Sequence, residues 1–304
     1  MIRRALITGP TGAVGTSLVD DLIDHNIEVY CVCHKGSKRI DNIKKNALVH
    51  IIECDLDELF ILKNIIHDTI DVFYHFAWFG GTTGSSRNDV VNNSINIKYT
   101  IDALKVAKEL GCKVFIGAGS QSEYGNSNET KNSYTLPNPE SMYAASKLSC
   151  MYIGKLYAKQ LGIRFNWCRI FSVFGLNDGE NTMIMSSIKK MLNNEECNFT
   201  KGEQLWDYIY SKDCAQAFRL IAENGIEDQI YNIASGNVRY LYEFINSLHN
   251  IVNPNSKINI GAIPYYEHQA MNLTADISPL IECGFKPKYT FEEGLNDMLK
   301  MLKI

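Results

Sequence analysis

The chain is expected to fold as an α/β protein, a doubly wound parallel sheet with a smaller C-terminal lobe, and three observations predict this. Apolar, strand-like runs alternate with amphipathic helical stretches from the start of the chain to about residue 170, and parallel neighbours need such crossovers. A glycine-rich turn separates the first apolar run from the first helical stretch. After Phe171 the alternation gives way to shorter segments punctuated by Pro254, Pro264, Pro279 and Pro287.

The first run, Ala5-Leu6-Ile7, has the continuous apolar character of a buried strand. Thr8-Gly9-Pro10-Thr11-Gly12-Ala13-Val14-Gly15 follows, after which Leu18, Val19, Leu22 and Ile23 share one face of a helix. In such a strand-turn-helix, glycines let the backbone approach a pyrophosphate, whose charge meets the amides and positive end of the helix. The spacing is Gly-x-x-Gly-x-x-Gly, whereas the commoner dinucleotide pattern is Gly-x-Gly-x-x-Gly. Gly9, Thr11, Gly12, Ala13, Val14 and Gly15 are thus candidate cofactor contacts, the plainer alternative being a glycine-rich surface turn.

Further strands are expected at residues 27–33, 48–52, 72–77, 113–118 and 163–170, with the longest helices at 88–110 and 142–161. Residues 1–170 are expected to form a dinucleotide-binding domain, with segments around 205–235 returning to its sheet. Residues 171–304 then form mainly a substrate lobe, containing a tyrosine-rich strand over 205–210.

A net charge of -4 over 304 residues leaves no basic footprint for nucleic acid. No window approaches the roughly 20 apolar residues that cross a bilayer, and Arg3-Arg4 lead into a strand and turn, without the apolar stretch of an export signal. A cytoplasmic protein is expected. The nine cysteines (Cys31, Cys33, Cys54, Cys112, Cys150, Cys168, Cys197, Cys214 and Cys283) are odd in number, scattered and mostly within apolar runs. They read as reduced core thiols, with neither a disulfide framework nor a metal site.

The chemistry is concentrated between residues 115 and 147. Phe115-Ile116-Gly117-Ala118-Gly119-Ser120 closes a strand and leaves the Ser120 hydroxyl at its carboxyl end. Tyr143 and Lys147, four apart on a helix, share one face. A free phenol titrates near about 10, and a neighbouring ammonium favours the phenolate. Lys147 is therefore expected to bring Tyr143 toward the working range for proton transfer. With hydride supplied by a nicotinamide, Tyr143 would protonate the developing alkoxide, Ser120 would hydrogen-bond that oxygen, and Lys147 would also hold the nicotinamide ribose. The bland alternative is an ordinary pair of helix-surface residues.

These motifs resemble those of the extended short-chain dehydrogenases/reductases, the family of nucleotide-sugar epimerases, dehydratases and ketoreductases. The likeness runs nearly the whole length. Besides the glycine turn and Tyr143-Ala144-Ala145-Ser146-Lys147, it includes Cys54-Asp55-Leu56, His75-Phe76-Ala77, Asn96, residues 120–125 and 169–175, and Leu205-Trp206-Asp207-Tyr208-Ile209-Tyr210 with Asp213. The resemblance implies a Rossmann-like sheet, with Asp55 facing the adenine beside Leu56, Ala77 along the cofactor, and Asn96 supporting the active-site helix. It also implies a homodimer in which helices near 88–110 and 141–161 pack as a four-helix bundle.

Departures from the family pattern narrow the reading. An NAD-specific member usually ends its second strand on an acidic residue; here that place holds Cys33-His34-Lys35, followed by Ser37, Lys38 and Arg39. A carboxylate repels a 2'-phosphate while this basic and hydroxyl cluster would receive one, so NADP(H) is favoured and NAD(H) is the alternative. Gln121-Ser122 replace the acidic pair of the 4,6-dehydratases, which argues against elimination of water. Ser172 replaces a common asparagine, and Trp206 stands where many members place an arginine against the substrate diphosphate.

Ser122, Ser172, Lys201, Trp206 and Arg239 are the candidate substrate contacts. Arg169 joins Lys201 and Arg239 as a possible phosphate partner, and Tyr265, Tyr266 and His268 are candidates to line the sugar or base pocket. Residues 119–125 with 205–208 are similar to reductases of nucleotide-linked 4-keto-6-deoxy sugars. The leading expectation is an NADP(H)-dependent reductase of a keto group, at C4, on a nucleotide-linked deoxy sugar. The alternatives are an NAD-dependent C4 epimerase and a non-catalytic dinucleotide sensor, the last disfavoured by the retained Ser120, Tyr143 and Lys147.

Overall fold

The computed structural model describes residues 2–80, 84–266 and 269–303. Its centre is a seven-stranded sheet built from β1 (Arg4–Thr8), β2 (Glu28–Cys33), β3 (Val49–Glu53), β4 (Val72–His75), β5 (Val114–Ser120), β6 (Arg164–Ile170) and, from later in the chain, β11 (Ile230–Ile233). The spatial order is β11-β6-β5-β4-β1-β2-β3, and every pairing is parallel. Strands leave β1 in both directions, so the crevice at the carboxyl ends of β1 and β4 is the switch point where ligands bind in such sheets.

Helices cover both faces because each brings an apolar stripe to the sheet. α1 (Ala13–Asp24) and α6 (Ser211–Asn224) pack on one face, where Leu18, Val19, Leu22, Phe218 and Ile221 meet the inward residues of β1 and β2. The short α2 (Leu62–Ile65), α3 (Val90–Glu109) and α4 (Met142–Leu161) cover the other, over Leu6, Phe73, Phe115 and Trp167. The helix expected at 142–161 is found at those residues, and α3 is one turn-end shorter than expected. Asp89 caps α3 by accepting the Asn92 amide, and Ser141 caps α4 by accepting the Ala144 amide.

The rest of the chain adds β7 (Ser172–Phe174), α5 (Met183–Leu192), β8 (Cys197–Phe199), β9 (Leu205–Trp206), β10 (Tyr208–Tyr210), β12 (Arg239–Tyr240), α7 (Leu241–Val252), β13 (Ile258–Ile260), α8 (Ser278–Glu282) and α9 (Phe291–Leu302). A separate core of Phe174, Ile188, Met191, Tyr210, Phe244, Leu248, Phe291 and Met298 holds this part together.

The single strand expected over 205–210 is two. Leu205 and Trp206 pair with β12, while Tyr208 to Tyr210 pair with β7. The break falls at Asp207, whose buried carboxylate accepts the Ser235 amide and hydroxyl and the Gly236 amide. Asp213 is likewise a tie, accepting the backbone amides of Lys288 and Tyr289. All nine cysteines are free and buried, as the sequence predicts. No described helix is long and apolar enough to cross a membrane.

Candidate active site

The glycine turn sits at the switch point. Gly9 adopts φ +72°, and a Cβ there would stand 2.8 Å from the Ala77 nitrogen, so glycine is required both by conformation and by the approach of the segment after β4. Gly12 differs: its backbone is extended, and a Cβ would meet nothing within 4 Å. It caps α1 with no side-chain cap and no acidic residue in the first turn. The first amides of a 12-residue helix are thus left without side-chain acceptors at the edge of a cavity of about 320 Å³, lined by Gly9, Gly12, Ala13, Val14 and Gly15 on one side. Open space over Gly12 and unshared helix amides fit a pyrophosphate.

A second cavity of about 500 Å³ continues toward β2 and β3, and the candidate cofactor contacts Thr11, His34, Ser37, Asp55, Leu56 and Ala77 line it. The basic residues around it are mostly engaged. His34 Nδ1 pairs with Asp55 and Lys35 Nζ with Glu58, while Arg39 donates to the Asn177 carbonyl at 2.7 Å. Lys38 is exposed and has no ion-pair partner among the described residues. Glu53, at the end of β3, accepts the Gly36 amide at 2.8 Å. Asn96 brackets Phe79, accepting its amide at 2.8 Å and donating to its carbonyl at 3.0 Å. It therefore fixes the segment that walls the cavity, where the resemblance implied support of the active-site helix.

Ser120 ends β5 and caps the turn at 121–124, receiving the Ser122 amide at 3.2 Å and sharing a 2.9 Å hydrogen bond with the Ser122 hydroxyl. Tyr143 and Lys147 project from the first turns of α4 into the same 320 Å³ cavity. The Lys147 ammonium, 5 % exposed, donates to the Ala118 carbonyl at 2.7 Å and lies 3.9 Å from the centre of the Trp78 ring. Trp78 stands edge-on to Tyr143 with centroids 5.5 Å apart, and the Arg87 guanidinium lies 4.8 Å from the centre of the Tyr143 ring.

The electrostatics differ from the sequence expectation. Burial pushes the Tyr143 phenol up to about 12, against the Ser120 hydroxyl and the Arg87 charge, which pull it down. Lys147, 5.8 Å from the Tyr143 ring centre, is not among the groups that lower it. Burial also lowers Lys147 to about 8. Desolvation outweighs the pairwise attraction, and the result at neutral pH is a protonated phenol beside a charged ammonium, the state suited to giving up a proton. His75, behind them at the end of β4, is held neutral by burial, its pKa lowered to about 3, and it hydrogen-bonds Thr8 at 2.9 Å.

On the outer side of Ser120, a cleft of about 750 Å³ is lined by Arg87, Gln121, Ser122, Glu140, Trp206 and Tyr266. Ser122 and Trp206, two of the candidate substrate contacts, thus both line this cleft. Ser172 pairs with Tyr208 on β7 and is half-buried, while its neighbours Phe171 and Val173 line the inner cavity. Lys201 is exposed and lines none of these cavities. Arg239 turns to Glu292, at 2.9 Å, and packs 4.2 Å from the Phe244 ring centre. Arg169 is 1 % exposed and donates from Nε to Glu123 at 2.8 Å, so it is buried away from the cleft and out of reach of a phosphate there. Tyr265 donates and accepts at Glu203, away from this cleft, and His268 lies outside the described residues. Glu123 is itself spent on Arg169, Trp167 and the Ser120 amide, so it does not replace the acid missing at 121–122. Trp78 and Arg87 were not read from the sequence; the available signal was a tryptophan directly after Phe76-Ala77, where a strand meets the switch point.

A profile described as the NAD dependent epimerase/dehydratase family matches residues 5–234, a span that holds Ser120, Tyr143 and Lys147. The chain is 27% identical to a putative UDP-glucose 4-epimerase of Methanocaldococcus jannaschii, with 98% of each chain covered. It is 26% identical to the CDP-abequose synthase of Salmonella typhimurium, covering 98% of this chain and 97% of that one. Among solved structures, the UDP-N-acetylglucosamine 4-epimerase of Methanobrevibacter ruminantium M1, in complex with UDP-N-acetylmuramic acid, matches with a TM-score of 0.88 at 27% identity, over 99% of this chain and 98% of that one. The profile spans the glycine turn, the seven strands of the parallel sheet up to Ile233 and the Ser-Tyr-Lys site, and the chain belongs to the NAD dependent epimerase/dehydratase family of enzymes.

Proposed function

We propose that this enzyme reduces a keto group, at C4, of a nucleotide-linked deoxy sugar with NADPH. The observation that carries the reading is the placement of the buried Tyr143 hydroxyl, with Lys147 and Ser120, at the joint between the helix-capped cavity and the outer cleft, where burial favours the protonated phenol. NADPH, when bound, supplies the hydride. Ser120 Oγ donates a hydrogen bond to the carbonyl oxygen and orients it. Tyr143 gives its phenolic proton to that oxygen as negative charge develops, and Lys147 places a positive charge beside the phenolate that remains. Arg87 adds a second positive charge over the same ring.

Support for NADPH comes from the end of β2, which carries no carboxylate, and from Ser37, Lys38 and Arg39 just after it. The pairs that now hold His34 and Lys35 lie at the solvent-screened surface, so exchange of Glu58 for a phosphate costs little. The nucleotide sugar is supported by the names of the two relatives and by the volume of the outer cleft, about 750 Å³. The second reading, an NAD-dependent C4 epimerase, is favoured by the epimerase relatives and by the Glu53 and Asp55 carboxylates near the same cavity. The test is turnover of a 4-keto-6-deoxy nucleotide sugar with NADPH and with NADH. NADPH consumption equal to product formed, with a several-fold lower KM than for NADH, is expected. Interconversion of the C4 isomers of a nucleotide sugar that carries a C4 hydroxyl, without net cofactor consumption, would move the assignment to epimerase.

A homodimer is part of this proposal. Val91 on α3 and Tyr152 and Leu156 on α4 are large apolar side chains exposed on the outer side of two helices that pack against each other. A second copy presenting the same face would cover them. Sedimentation at micromolar concentration is expected to give twice the chain mass; a monomer would contradict it.

A further inference from the structure

We propose that Trp78 is a positioning residue of the catalytic site, whose indole face holds the Lys147 ammonium against the Ala118 carbonyl and keeps it charged. The inference rests on Lys147 being part of the proton-transfer site. Its physical basis is an imbalance. An ammonium carries three donors, yet Lys147 is buried, has one protein acceptor at 2.7 Å, and has no carboxylate in salt-bridge distance among the described residues. What occupies its open side is the Trp78 ring at 3.9 Å. A desolvated cation over an indole is in the most favourable of the aromatic arrangements.

Trp78 is itself held in place. Its Nε1 donates to Asn93 at 3.2 Å, and the Asn93 amide is tied to the carbonyls of Ser86 and Asp89. Phe79, the next residue, is bracketed by Asn96. The indole is therefore a fixed wall shared by the inner and adenosine-side cavities, with Tyr143 at its edge. The titratable and charged groups around Lys147 are few: Tyr143 and Cys150 on α4, Glu123 after β5, His75 at the end of β4, and Arg87 across the Tyr143 ring. Glu123 is committed to Arg169 and His75 is neutral, so neither supplies a direct counter-charge.

The test is made on ligand-free protein, so that it does not depend on turnover. The chain is produced with tryptophan, 5-fluorotryptophan or 5,7-difluorotryptophan, which drain the ring of π-electron density while leaving its shape, and the Lys147 side chain is titrated by NMR in lysine-labelled protein. The signal is assigned with Lys147→Met. A midpoint near about 8 in the parent is expected to fall stepwise with fluorination, by up to about one pH unit in total. Trp78→Phe, which keeps a ring of weaker quadrupole, is expected to fall between. The other two tryptophans, Trp167 and Trp206, are fluorinated too but make no ring contact with Lys147 among the described residues, and the same fluorination series in Trp78→Phe, where the midpoint is expected to stay fixed, isolates the Trp78 effect. The same midpoint across the fluorinated series, or a rise, would overturn the proposal. A stepwise fall in a protein that turns over no keto sugar would leave the proposal standing and overturn only the reductase reading.

Discussion

Tyr143→Phe is expected to lower kcat by about 10²–10⁴-fold while leaving NADPH affinity within about twofold, the loss that removal of a general acid causes. Only the hydroxyl is removed. The ring still packs edge-on to Trp78 and under Arg87, so the cavity wall keeps its shape. The hydroxyl matters because burial holds it near about 12, protonated throughout the physiological range. Ser120 does not take its place, since an aliphatic alcohol is a far weaker acid and its oxygen is shared with Ser122. Steady-state rates together with nucleotide titration monitored by fluorescence check both halves of the prediction. A variant within about threefold of the parent would mean that the proton comes from elsewhere. The pH dependence should follow Lys147: as pH rises through about 8 the ammonium is lost, and reduction slows.

Glu123→Ala should damage both fold and site. Glu123 is wholly buried and accepts from Arg169, from the Trp167 indole at 3.0 Å and from the Ser120 amide at 2.8 Å. Its removal leaves the Arg169 charge buried with no carboxylate, a change that costs about 3–5 kcal/mol. A fall in Tm on the order of 10 °C follows for a chain of this size. Ser120 loses the bond that fixes its backbone, so kcat falls in the fraction that remains folded. Glu123→Gln keeps acceptor oxygen for the amide but removes the charge, and should lie between. Thermal unfolding followed by circular dichroism is the check; an unchanged Tm in Glu123→Ala would show that the pair contributes nothing to stability.

Most of the sheet was legible because parallel strands buried on both faces leave continuous apolar runs, and β2, β3, β5 and β6 fall within two residues of them. The strand expected at 72–77 ends early, at His75, where Phe76 and Ala77 turn to bond with Thr8. Residues 205–210 misled for a different reason. They form one aromatic-rich run in sequence, and the break comes from an aspartate captured by amides about 28 positions further on. The Ser-Tyr-Lys set was legible from spacing, but its electrostatics were not. Burial is a property of the assembled site, and it reversed the expected direction for Tyr143. Arg169 shows the same limit: its partner Glu123 lies 46 residues away, on another element. Trp78 was hidden by its neighbours' motif, since nothing local distinguishes a wall residue from a core one.

The most direct measurement follows deuterium from NADPH. The enzyme is given a 4-keto-6-deoxy nucleotide sugar with NADPH labelled at one or the other face of nicotinamide C4, and the product is read by NMR. One deuterium at sugar C4 for each NADPH oxidised, from one labelled face only and abolished in Tyr143→Phe, is the expected result. No label in the sugar and no net oxidation of NADPH, with the same protein inverting C4 of a nucleotide sugar that carries a C4 hydroxyl, would contradict the reductase assignment.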